Sequence, residues 1–449
     1  MELQTNISDR EPRQAVVIIH GIGEQIPMET LRGFVTAVTG SAPGDEFNRR
    51  AESKPDYISP TLELRRMAVP GEGNWEPGQW VSTDFYELYW AHLMAGTAWR
   101  HVSAWVATLL LRKPSAVPAR LKKAWGIAWL VVIAALLLLG TAGPLWLGKI
   151  THVWPPLIVV IAGALIWLCR QTGAHFGLQY AGDAARYLSP RPENVGVRRA
   201  IRSAAVELLE GLHDDLTWRR YHRIIVVGHS LGSVIAYDAL THLWQRRHHP
   251  PESVFPTQAD PKLEERLYSK DSLAAADSRE LQSAIWREQR TTGVRWKITD
   301  FVTLGSPLAH APFLMASDQK DFEDRVAQRE YPTCPPQPND KRDWQYGKSL
   351  LTTSGGGKLL HHAALFACTR WTNLFYDRDI IGGRIDDLGC WIDNHKLEPC
   401  GSAWFPHTKY WSPGANHTRL LKALDLCGWW KIKANVSTAI GAHHRDSGC

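Results

Sequence analysis

The first third of the chain alternates short apolar runs with polar breaks. Residues 14–20 read QAVVIIH, a β-branched run that stops at Gly21-Ile22-Gly23, the pattern of a buried strand ending in a tight loop. Residues 62–67 and 84–90 (DFYELYW) are two further strand-like segments, so this part predicts the opening strands of an α/β sheet. Beyond the middle, residues 197–212 carry apolar side chains at helical spacing, 223–227 (RIIVV) form a second buried-strand pattern, and 230–244 read as a helix. Residues 296–304 (WKITDFVTL) and 367–375 supply two later strands. Polar, Pro-rich and Gly-rich stretches around 248–261 and 331–357 read as loops or lids, and no internal repeat is visible.

The middle of the chain follows another rule. Residues 124–148 contain no charged side chain, and a helix rising about 1.5 Å per residue over that length covers a hydrocarbon layer of about 30 Å. A shorter apolar run, 153–169, follows after a turn at 149–152, and the pair predicts a transmembrane helical hairpin. Trp125, Trp129, Trp146, Trp154 and Trp167 bracket the runs, as Trp does where a span meets headgroups; buried core helices with ordinarily packed tryptophans are the alternative. Arg112, Lys113, Arg120, Lys122 and Lys123 precede the first run, and Arg170, Arg186, Arg191, Arg198 and Arg199 follow the second, whereas the turn offers only Lys149. By the positive-inside rule this predicts an integral protein of an inner or plasma membrane, with the remainder of the chain in the cytoplasm. A weaker apolar stretch, 91–111, broken by Arg100 and His101, fits an interfacial helix. The expected organisation is thus 1–92 for the first part of the sheet domain, 93–171 for a membrane-associated insertion, and 172–449 for the rest of the sheet domain.

Composition narrows the partners. A length of 449 residues allows two or three units, and the net charge of +6 is modest, with no basic block of the kind that binds nucleic acid. The basic residues gather beside the apolar middle, which points to a lipid bilayer instead. Seven scattered cysteines without a C-x-x-C pair suggest neither a disulfide framework nor a metal site, and the polar, acidic start (MELQ) lacks the features of a secretory signal. Nothing in the sequence indicates an oligomeric state.

The strongest chemical signal is Gly228-His229-Ser230-Leu231-Gly232, a G-x-S-x-G between a predicted strand and a predicted helix. In a nucleophile elbow the serine sits on a strained strand-to-helix turn, and the flanking glycines let strand and helix approach without Cβ clashes. The helix start and the Leu231 N–H then favour a developing oxyanion, and Ile22 in the loop His20-Gly21-Ile22-Gly23 is placed to supply a second donor. A serine hydroxyl needs a general base and the base an orienting carboxylate, which follow such an elbow in the order acid, then histidine. Asp379, just past the 367–375 strand, is the candidate acid, with Asp377 its rival; His407 in FPHTKYW is the candidate base, with His417 second. The pair His361-His362 precedes the acid and breaks the order.

These residues resemble the α/β-hydrolase superfamily and its lipase-like serine esterases. The segment 228–238 (GHSLGSVIAYD), with 304–308 (LGSPL) downstream, is similar to the corresponding segments of intracellular phospholipases with a DDHD domain. The resemblance implies a central, mostly parallel sheet, here interrupted by the predicted hairpin, and hydrolysis of lipid or other amphipathic esters through an acyl-enzyme, with no cofactor and no metal. A thioesterase or acyltransferase with the same three residues, and a catalytically silent hydrolase-like membrane scaffold, are the alternatives.

Overall fold

In a computed structural model the described residues are 13–22, 26–40, 50–59, 64–71, 80–94, 99–146, 182–214, 221–247, 275–291, 295–338, 360–398, 406–412 and 416–427. Eight strands form one sheet: β1 (Arg13–Ile19), β2 (Glu52–Pro55), β3 (Arg65–Val69), β4 (Ser82–Leu88), β5 (Arg223–His229), β6 (Ile298–Leu304), β7 (Arg370–Phe375) and β8 (Asp393–Lys396). Their order is β2-β3-β4-β1-β5-β6-β7-β8. From β4 to β8 every pairing is parallel, and β3 alone runs against the rest.

Alternation within the strands explains why both faces are covered. Val16 and Ile18 of β1 point into one core with α1 (Glu29–Thr39), while Ala15, Val17 and Ile19 point into the other. A run that is apolar at every position is what a strand buried on both sides requires. The second, larger core is closed by α4 (Val195–His213), α5 (Leu231–Arg247) and α6 (Ala275–Thr291). The remaining helices are α2 (Trp99–Leu110), α3 (Lys122–Trp146), α7 (Ala311–Met315), α8 (Gln319–Ala327) and α9 (His417–Leu424), the last packing beside α1.

The middle of the chain departs from expectation. Among the described residues no helix is long and apolar enough to cross a membrane, so the transmembrane hairpin, and the integral membrane location inferred from it, are corrected. Residues 124–146 of the first apolar run lie in α3, which is docked at its start: the Trp125 and Trp129 indoles donate to the Leu109 and Leu110 carbonyls at the end of α2, at 3.3 and 3.0 Å. Trp125 and Trp129, assigned to a headgroup boundary, are thus helix-packing contacts. The run 153–169 lies outside the described residues, as does the segment 248–261. Of the candidate lid 331–357, the described part is built into the fold: Cys334 N–H donates to Leu388 O, Trp391 N–H donates to Cys334 O, both at 2.8 Å, and the Cys334–Pro335 peptide is cis.

Candidate active site

Seven of the eight strands run in one direction, and the carboxyl edge of such a sheet is where an α/β fold gathers its loops. Ser230 lies there as the single residue between β5 and α5, with φ of 53°, a left-handed conformation that a serine adopts only when its surroundings impose it. The surroundings are specific. Ser230 N–H donates to Leu304 O at the end of β6 at 3.0 Å, and Ser233 N–H closes the first helical turn on Ser230 O at 3.0 Å. Ser233 Oγ–H also donates to Ser230 O at 2.6 Å, which leaves Ser306 Oγ–H to donate to Ser233 Oγ at 2.6 Å while Ser306 Oγ accepts from Leu308 N–H at 3.2 Å. The elbow's carbonyl is thereby held from two sides.

The glycines around it are a matter of space. A Cβ at Gly228 would stand 2.4 Å from Ser233 Cα, and one at Gly232 would stand 2.2 Å from Ile19 O, so any side chain there would force β5, α5 and β1 apart. A Cβ at Gly21 would lie 2.8 Å from Ser230 Cβ. The loop after β1, with Ile22 in it, is therefore pressed directly against the serine. Leu231, first residue of α5, has an N–H with no acceptor inside its own helix.

From Ser230 a line of hydrogen bonds runs inward. His407 Nε2 is 2.8 Å from Ser230 Oγ, and His407 Nδ1 is 2.8 Å from Asp379 Oδ2. An ionised carboxylate accepts only, so Nδ1 carries the proton in the neutral ring and Nε2 is the acceptor for the serine hydroxyl. Asp379 is fully buried; desolvation pushes its pKa up, but hydrogen bonds from His407, Tyr410 and the backbone outweigh this and hold it below the ordinary carboxylate value. Tyr410 O–H donates to Asp379 Oδ2 at 2.7 Å, and Ile381 N–H donates to Oδ1 at 3.0 Å. Around this carboxylate Gly305, with φ of 57°, leaves room that a Cβ would take from the Tyr410 ring at 2.5 Å.

His229 braces the backbone of His407. Its Nε2–H donates to His407 O at 2.9 Å, and burial, followed by repulsion from His407, lowers its pKa to about 3, so it is neutral. His20 stacks on Trp90 with ring centroids 5.0 Å apart, accepts Trp90 N–H at Nε2, and is likewise held neutral by burial, at about 4.

The structure thus brings Ser230, His407 and Asp379 together, with Ile22 and Leu231 beside them. It places the rivals elsewhere. Asp377 is half-exposed, pairing with Lys396 and, at 3.5 Å, with Arg120, while His417 begins α9 and His361 Nε2 faces Gln337 O at 2.8 Å. Tyr410, Ser306, Ser233 and His229 escaped sequence reading, although Tyr410 lies three residues after His407 and Ser306 follows Gly305 in a segment that drew notice. Among the described residues no group of histidines, cysteines and carboxylates is arranged to hold a metal. Arg120, between α2 and α3, also donates to Gly382 O at 3.3 Å, so the middle segment braces the loop that carries Asp379. Comparison with family models, curated proteins and solved structures finds no match, so the site is read from its own geometry.

Proposed function

We propose that the protein is a serine hydrolase that cleaves carboxylic esters through an acyl-enzyme on Ser230. The observation that carries this reading is the unbroken line Ser230 Oγ–His407 Nε2 and His407 Nδ1–Asp379 Oδ2, 2.8 Å at each link, anchored on a left-handed elbow at a helix start. His407 Nε2 takes the hydroxyl proton as Oγ attacks the ester carbonyl, and Asp379 stabilises the imidazolium and keeps its ring in plane. The Leu231 N–H, reinforced by the positive end of α5, faces the developing oxyanion, with Ile22 as the second donor. His407 then returns the proton to the departing alcohol, and water repeats the cycle to release the acid.

The similarity of 228–238 and 304–308 to DDHD-type phospholipases puts lipid esters first among substrates. The test is a pre-steady-state assay with a chromogenic short-chain ester, followed by a panel of acylglycerols and glycerophospholipids. A burst of alcohol equal to the enzyme concentration supports the acyl-enzyme; ester turnover that persists in Ser230→Ala rejects it.

A further inference from the structure

On the outer side of α5, away from Ser230 along the helix, lies a cavity of about 800 Å³. That is within the size range of small-molecule pockets, about 300–1,000 Å³. Its floor is α5 from Val234 to Gln245, one wall is α4, and the opposite wall is α2 with α7 and α8. No residue of the Ser230–His407–Asp379 line borders it.

Its charge does not balance. Six guanidinium groups line it, those of Arg112, Arg191, Arg198, Arg202, Arg325 and Arg329, against the three carboxylates of Asp238, Asp321 and Glu330. The carboxylates are already engaged. Asp238 accepts from Arg202 at 2.6 Å and from Tyr187 O–H at 2.8 Å, while Asp321 and Glu330 both pair with Arg325, at 2.9 and 3.1 Å. Arg112 is turned to the carbonyls of Ala316 and Ser317. Arg329 donates to Pro338 O at 3.2 Å and Arg191 lies exposed at the rim, whereas Arg198 keeps a buried Nε that meets no hydrogen-bond acceptor among the described residues. A buried N–H without an acceptor is costly, and an anion bound at the half-buried Arg198 guanidinium removes that cost with charge-assisted, forked hydrogen bonds. Desolvation, and after it repulsion from Arg202, pull the Arg198 pKa down despite the attraction of Asp238, and an anion in the same place offsets both. Across from Arg198 and Arg202, the wall that carries Arg112 and Arg325 also presents the apolar side chains of Trp105, Leu109, Leu314 and Met315.

We infer that this cavity binds an amphiphile with a phosphate-type anionic head, the head on Arg198 beside Arg202 and the tail along Trp105, Leu109, Leu314 and Met315. The site is separate from the serine chemistry and holds its ligand whether or not Ser230 reacts.

Calorimetric titration of the full chain with dodecyl phosphate, below its micelle-forming concentration, tests this. Saturable 1:1 binding is expected, weakened by more than about tenfold in Arg198→Gln and in Thr241→Glu, which puts a carboxylate into the α5 floor, and unchanged in Ser230→Ala. Melting temperatures for all three variants verify the fold, and the two cavity variants guard against the failure of one. Wild-type affinity in both cavity variants, or equal binding of the neutral dodecyl maltoside, overturns the inference. Inorganic phosphate binding as tightly as dodecyl phosphate overturns the amphiphile and leaves a free phosphate as the occupant. Because Ser230→Ala is a binding-competent control, loss of hydrolysis and loss of this site are read independently.

Discussion

Two buried carboxylates sit at opposite ends of the parallel strands. At the amino edge, Asp300 of β6 is 1 % exposed and lies between Arg223 of β5, at 2.5 Å, and Arg370 of β7, at 2.7 Å. Desolvation would raise its pKa, but the two guanidinium groups drive it far below the ordinary carboxylate range. At the carboxyl edge, Asp379 is equally buried, but its partners are an imidazole and a phenol. The difference is what each partner can do with a proton. Guanidinium keeps its proton at any physiological pH, so Asp300 is a fixed tie between three strands. Imidazole as a class gives and takes one near neutrality, so under the proposed function the same kind of buried acid at Asp379 would support a proton transfer.

The largest effect expected from breaking this comparison is chemical. Asp379→Asn should leave the fold intact and lower ester turnover by about 10⁴, since the amide no longer holds the His407 tautomer; single-turnover kinetics and a thermal melt measure both quantities. Next in size is the structural tie. Arg223→Met should cost about 3–5 kcal/mol in denaturant unfolding, because Asp300 loses one of its two cations in the core, with turnover per folded molecule unchanged. Asp300 carries its stabilisation above the unfolded carboxylate value near 3.8, and loses it as the pH falls toward its lower folded value.

A smaller effect sharpens the role of the phenol. Tyr410→Phe removes one donor to Asp379 and should slow turnover by about ten- to a hundredfold, with little change in substrate affinity, as separate kcat and KM values would show. The smallest expected effect is a pH slope. His20 and His229 titrate at about 4 and about 3 in the fold against 6.5 unfolded, so the unfolded chain binds protons that the native one refuses. Their contribution is present above 6.5 and lost as the pH falls. Glu87, raised by burial to about 7, acts oppositely, contributing stability at low pH that is lost as the pH rises through 7. His229→Gln should flatten the acid-side slope by about one proton, roughly 1.4 kcal/mol per pH unit, in unfolding titrations compared with wild type.

How much of this the sequence announced follows from the range of each interaction. The Ser230 elbow is legible because its strand, glycines and helix are contiguous, and chain order past it narrows the acid to Asp379 or Asp377 and the base to His407 or His417, a choice that only the fold makes. Tyr410 and Ser306 are not, since nothing local says that a phenol or a hydroxyl will meet a carboxylate or Ser233 across loops. Strands β2 (ESKP) and β8 (DNHK) are short polar edge strands without an apolar period, so neither was foreseen. The reverse error occurred at α3: an apolar run states that a helix wants apolar surroundings and does not state which, and Trp125 and Trp129 meet α2.

The central claim is that Ser230 is activated by His407, and reaction with a fluorophosphonate read by intact mass and peptide mapping tests it most directly. The account expects one adduct, located on Ser230, lost in Ser230→Ala and slowed by orders of magnitude in His407→Ala. Folded wild-type protein that takes no adduct, or takes it elsewhere, would contradict it.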